Sequence, residues 1–179
     1  MREVKLKPFC HWVSAGSASA SFWKLAKACT MLPSASDAEL EAASDLARKG
    51  RELDKDGKLR EWTLLALGMA EYRSGHYAAA LEALVAAAKA GPNNPQVTDI
   101  AAFYRAMSLF RQGNETEARK VASKAAAQMK PLPADEKNPL GEKDSTDDLI
   151  VWLAFKEAKA MIRFEEAPKK KGMRTKNQG

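Results

Sequence analysis

The sequence has little of what builds strands, disulfide frameworks or metal sites. Valine and isoleucine together number 9 of 179 residues, against 33 alanines. β-Branched side chains favour strands and alanine is the best helix former, so the composition predicts an all-α protein. Only two cysteines occur, Cys10 and Cys29. That is no framework of cross-links, and it points to a reducing, cytoplasmic setting. The two histidines, His11 and His76, add no CxxC or HxxxH spacing, so no metal or cofactor is expected. So few cysteines and histidines also leave no nucleophile–base pair, and neither catalysis nor a small-molecule substrate is expected. No apolar run approaches the length of a membrane-spanning helix.

The formal charge of +6 sits at the two ends. Residues 168–179 contribute +5 through Lys169, Lys170, Lys171, Arg174 and Lys176, residues 1–13 contribute +2, and the body between them is left at −1. The tail 168–179 is read as disordered and solvating. An alternative is loose contact with nucleic acid or an anionic surface, but no aromatic residue interleaves these lysines to stack on bases. Near the start, Arg2, Lys5 and Lys7 precede Ala18-Ser19-Ala20 as in a secretion signal. The apolar stretch from Phe9 to Val13 is too short for one. Residues 1–20 are read as a poorly ordered leader.

The remainder divides into helices. Phe22, Leu25, Ala26, Cys29 and Leu32 recur at helical spacing, and Pro33 ends the run. Ser36 and Glu39 form the capping-box pattern of a second helix, whose stripe is Leu40, Ala43, Leu46 and Ala47 and whose stop is placed at Gly50. Asp56-Gly57 reads as a turn; the acidic stretch around it has neither the first nor the twelfth ligand of a calcium loop. A third helix holds Trp62, Leu64, Leu65, Leu67, Gly68 and Tyr72 and ends at Gly75. A fourth runs from Tyr77 to Gly91-Pro92. A fifth carries Ile100, Phe103, Tyr104, Met107 and Phe110 to Gly113, and a sixth runs from Ala118 towards Met129. A proline-bearing loop spans 130–144. A last helix opens at Ser145, with Asp147 and Asp148 in its first turn where the helix dipole favours them.

The chain repeats itself. Aligning Gly75 with Gly113, 38 positions apart, brings Arg73 onto Arg111, Tyr72 onto Phe110, Met69 onto Met107 and Ala80 onto Ala118. Residues 61–94 resemble a tetratricopeptide repeat. Leu67-Gly68 stands at the helix crossing, Tyr72, Gly75 and Tyr77 at the helix end and turn, Ala80, Leu84 and Ala87 on the second helix, and Pro92 at the end. Gly68 and Ala80 would let the helices approach closely. Residues 95–129 resemble a degenerate second repeat with Arg105-Ala106 for the Leu-Gly pair, and 21–50 a weaker first one. The whole is similar to C-terminal arrays of large bacterial multidomain proteins, including some serine/threonine kinases, although no kinase motif is present.

The resemblance implies a right-handed α-solenoid of about three helix pairs with a closing helix, over residues 21–167. It also implies a concave face lined by the first helix of each pair. Carried over position by position, that face holds Trp62, Leu65, Met69, Tyr72 and Arg73, then Phe103, Tyr104, Met107, Phe110 and Arg111. Arg73 and Arg111 are expected at the surface, because a charge is rarely buried unpaired. Chaperone-binding relatives clamp a C-terminal carboxylate on this face; here Leu65 and Met69 occupy the first two such positions. The expected function is a non-catalytic scaffold gripping a peptide or helix of a protein partner, a second copy of the chain being an admissible partner. The alternatives are nucleic-acid or anionic-surface binding through the tail, and a detached regulatory fragment of a larger signalling protein.

Overall fold

Helix follows helix in antiparallel pairs, as the alanine content and the turn glycines dictate. The computed structural model describes residues 18–31, 36–135, 137–141 and 144–164. The expectations for the leader up to residue 17 and for the tail 168–179 fall outside these residues. Seven helices are described: α1 (Ala18–Thr30), α2 (Asp37–Leu53), α3 (Arg60–Arg73), α4 (Tyr77–Ala90), α5 (Pro95–Arg111), α6 (Glu115–Gln128) and α7 (Thr146–Met161). The chain is an all-α helical-repeat solenoid among its described residues.

Local chemistry sets the ends. The Ser36 hydroxyl accepts from the Glu39 N–H while the Glu39 carboxylate accepts from the Ser36 N–H, so the capping box forms as read. The stop placed at Gly50 does not. Gly50 is buried inside α2, and the helix runs on to Leu53. Glycine ends a helix by turning left-handed. The only described residues with positive φ are Gly57, Gly75 and Gly113. The turn is made instead at Asp54, whose carboxylate accepts from the Leu59 N–H at 3.2 Å, and at Gly57.

Gly75 and Gly113 end their helices in the same way. Both have φ of 80°. Gly75 N–H donates to Tyr72 and His76 N–H to Glu71, at 3.1 and 2.9 Å; Gly113 N–H donates to Phe110 and Asn114 N–H to Leu109, at 3.0 and 2.9 Å. The 38-residue repeat seen in the sequence is therefore a repeat of hydrogen bonding.

Each helix packs on the next from α1 to α6, and the first helices of successive pairs also touch: α1 on α3, α3 on α5, and α5 on α7. The last helix packs on α5 and also reaches α1 and α3 through ion pairs. One core of Leu65, Met69, Leu84, Phe103, Met107 and Phe155, with many alanines, runs through α3 to α7, and a smaller one joins Trp23, Ala26, Ala47 and Ala66. α3 and α4 approach closely at Gly68. A Cβ built there would lie 2.5 Å from Leu84 Cγ. In the second repeat the equivalent pair is Ala106 and Ala122, both fully buried, so a smaller partner makes room for the methyl. Gly68→Ala is expected to cost about 1–3 kcal/mol by overpacking, and Gly68→Ala/Leu84→Ala less than Leu84→Ala and Gly68→Ala added together. Urea unfolding checks both.

Candidate functional site

The face expected to bind a partner is for the most part enclosed. Leu65, Met69, Phe103 and Met107 have no exposed surface, and Tyr104 and Tyr72 keep 1% and 6%. Neighbouring helices enclose this face: α1, α4 and α5 pack on α3, and α7 lies on α5 with Phe155 edge-on to Phe103 at 5.7 Å between ring centroids. Large side chains on a first helix are here the packing between successive first helices.

Arg73 corrects the expectation of a surface arginine: its side chain is only 6% exposed. It ends α3 pointing into the junction of four helices. Its Nε donates to the Thr30 carbonyl at 2.9 Å and its Nη2 to the Met31 carbonyl at 3.2 Å, at the open end of α1. Nη1 and Nη2 hold the Glu157 carboxylate of α7 in a two-point pair at 2.5 and 2.6 Å. Nη2 also reaches the Tyr104 hydroxyl of α5 at 3.0 Å, and that hydroxyl donates to the Thr30 carbonyl at 3.1 Å. The guanidinium lies 5.3 Å from the ring centres of both Tyr72 and Tyr104. Burial acts to lower the Arg73 pKa, but the Glu157 hydrogen bonds together with the electrostatic pull of Tyr104, Glu157 and Tyr72 outweigh it, and the guanidinium stays charged. Burial pushes the Tyr104 and Tyr72 hydroxyls upward, so both act as neutral donors.

Trp62 is tied up at the other end of α3. It stacks on Trp23 at 5.0 Å and 18°, and the Lys27 ammonium sits 4.7 and 4.6 Å from the two ring centres. Lys27 also pairs with Asp147 at the start of α7. Burial lowers the lysine's pKa, and the Asp147 contact opposes the drop.

Phe110 stays half-buried and Arg111 exposed. They stand in the second repeat where Tyr72 and Arg73 stand in the first, and the Arg111 guanidinium lies beside the Tyr72 hydroxyl. No ion pair joins Arg111 to another described residue. The residues expected to share one groove are thus divided among a core, two clamps on α7 and one accessible end.

Asp148, Asp99 and Glu157 were not singled out for these roles by the sequence. Asp148 was expected only as a first-turn acid. It caps α7 through Ser145, accepts from Gln96 Nε2 at 3.2 Å on α5, and accepts from Lys130 Nζ at 3.1 Å beyond α6. Burial would raise its pKa, but the Ser145 backbone bond and these partners hold it below the ordinary aspartate value. These groups edge a cleft of about 440 Å³ that also holds Asp99. Among the described residues no group of three or more His, Cys, Asp or Glu is arranged to hold a metal ion.

Glu157→Gln leaves the Arg73 charge enclosed without its counter-ion. The substitution is expected to cost about 2–3 kcal/mol of stability, somewhat below the loss of a fully buried pair because Gln keeps an acceptor. Arg73→Met/Glu157→Gln should cost less than the sum of the single changes. Urea unfolding of the set measures this.

Residues 65–136 match the family model described as Tetratricopeptide repeat. The match runs from within α3 to the loop beyond α6, so it spans most of the two helix pairs that share the turn geometry. No curated protein and no solved structure matches the chain. The helix pairs α3–α4 and α5–α6 are therefore similar to tetratricopeptide repeats in sequence as well as in fold.

Proposed function

We propose that this chain is a protein-interaction module without chemistry of its own, and that its partner is held at the accessible end of α5 by Phe110 and Arg111. Arrays similar to this one join proteins to one another, and the match over 65–136 supports that class. The observation that carries the site is the equivalence of Arg73 and Arg111. At the first position the arginine takes a carboxylate from a helix laid across it, Glu157 of α7, in a two-point pair. At the second the same side chain pairs with no carboxylate among the described residues and faces solvent. A partner segment bearing Asp, Glu or a terminal carboxylate would complete it as α7 completes Arg73, with Phe110 supplying the apolar contact. The remaining residues of the expected face (Trp62, Leu65, Met69, Tyr72, Arg73, Phe103, Met107) would act by holding that end rigid.

A second reading has one observation in its favour. Arg119 of α6, with Lys159 and Arg163 at the end of α7, surrounds an open crevice floored by Ile162 and Phe164. The basic tail follows in sequence, and together they would suit an anionic surface or nucleic acid.

Affinity capture with tagged protein, read by mass spectrometry, separates the two. The first reading predicts a discrete protein whose affinity falls about thirtyfold in Phe110→Ala/Arg111→Ala, with deletion of 168–179 having no effect. Capture unchanged by the double substitution contradicts it. Loss on tail deletion together with a steep fall in binding with salt would favour the second reading.

A further inference from the structure

We propose that the cleft between the N-terminal ends of α5 and α7 binds a guanidinium group, with the Asp99 carboxylate as its counter-ion. The site is separate from the accessible end of α5, because Asp99 and Phe110 lie three turns apart on that helix.

The cleft is about 440 Å³ and is walled by Gln96 and Asp99 of α5, Gln128 and Lys130 at the end of α6, and Asp148 and Val151 of α7. Its polar groups divide unequally. The charged donor is spent, since Lys130 is paired with Asp144 and Asp148, and the Gln96 amide nitrogen donates to Asp148; the Gln128 amide is the neutral donor left. The acceptors are not spent. No hydrogen bond or ion pair ties the Asp99 carboxylate to any described residue, although it is half enclosed. The Gln96 side-chain carbonyl, three residues before it and so on the same helix face, is also unused. A half-buried carboxylate without a partner forgoes hydration and receives nothing in return. A ligand that restores it must bring several N–H donors and a positive charge.

A guanidinium meets this requirement. Its planar fork can take both Asp99 oxygens while a further N–H reaches Gln96. Val151 and Pro95 offer apolar wall for an attached alkyl stem. A metal ion is a poorer fit, since Asp148 is already satisfied and Asp99 with the Gln96 carbonyl supplies too few oxygen ligands for a hard cation.

Burial pushes the Asp99 carboxyl up to about 6. The other charged groups around the cleft do not titrate near that value. The Asp144 hydrogen bond holds Lys130 above its usual range, and Lys130 in turn holds Asp144 below its own. Asp148 lies below the ordinary aspartate value despite burial, through its Ser145, Gln96 and Lys130 bonds. Binding needs Asp99 ionised, so affinity should fall as pH drops through 6, by about tenfold between pH 7.5 and 5.

The test is a titration of the full chain with methylguanidinium, followed by amide NMR shifts at Gln96, Asp99 and Ser145. The expected result is saturable binding with that pH dependence, lost at least tenfold in Asp99→Asn. Butylammonium should bind at least fivefold more weakly. A capped Gly-Arg-Gly peptide gives the source: tighter binding than methylguanidinium indicates an arginine of a polypeptide, and equal binding a free small molecule. No saturable shift, pH-independent binding, or equal binding of butylammonium overturns the proposal, as does undiminished affinity in Asp99→Asn. The pH series needs no variant, so the proposal stays testable whatever Asp99→Asn does to the fold.

Discussion

The arrangement depends on one enclosed cation. Arg73 has only 6% of its side chain in contact with solvent, so its charge must be answered within the protein. It is answered by the carbonyl end of α1, the Tyr104 hydroxyl of α5 and the Glu157 carboxylate of α7, which lie far apart in sequence. A helix end has unpaired carbonyls that need donors, and a guanidinium has donors in surplus. Placing Arg73 at the last turn of α3 satisfies both needs at once. The cost of desolvating the arginine makes the junction specific: an α7 docked one turn out of register would leave the charge unmatched.

Neighbouring interactions follow the same logic. At the opposite end of α3, Lys27 is drawn under two tryptophan rings and pairs with Asp147, so α7 is clamped at two places 10 residues apart along itself, to α1 through Asp147 and to α3 through Glu157. Asp148 then ties the start of α7 to α5 and to the chain leaving α6. Between these polar fixings, Phe103 and Phe155 supply the apolar contact. The groove that a stack of first helices would leave open is closed over most of its length by the chain itself. What remains available is the end of α5, and that is why the proposed partner site lies there.

Features written within one helix or turn could be read from the sequence. Ser36 and Glu39 announce their capping box, Gly75 and Gly113 their turns, and Pro92 the end of α4, because each acts on residues three or four positions away. Gly50 misled for the converse reason. A glycine stops a helix only where the chain must turn left-handed, and here Asp54 and Gly57 make that turn. That Trp62, Met69, Tyr72 and Phe103 belong to α3 and α5 was legible from their helical spacing. Their accessibility was not. Whether they face a partner or a neighbouring helix is decided by Glu157, 84 positions from Arg73, and no spacing rule links the two. The unpaired state of Asp99 is likewise a property of three helix ends meeting.

The central claim is that α7 is an integral part of the array, locked through Arg73, and not an appendage resting on it. Native-state hydrogen exchange of the full chain tests this most directly. The account predicts that the slowest amides of α7 and of α3 and α5 open together, with the same free energy and the same dependence on denaturant. Exchange of α7 at a markedly lower free energy, while α3 to α6 stay protected, would contradict it and would mean that the groove opens in solution.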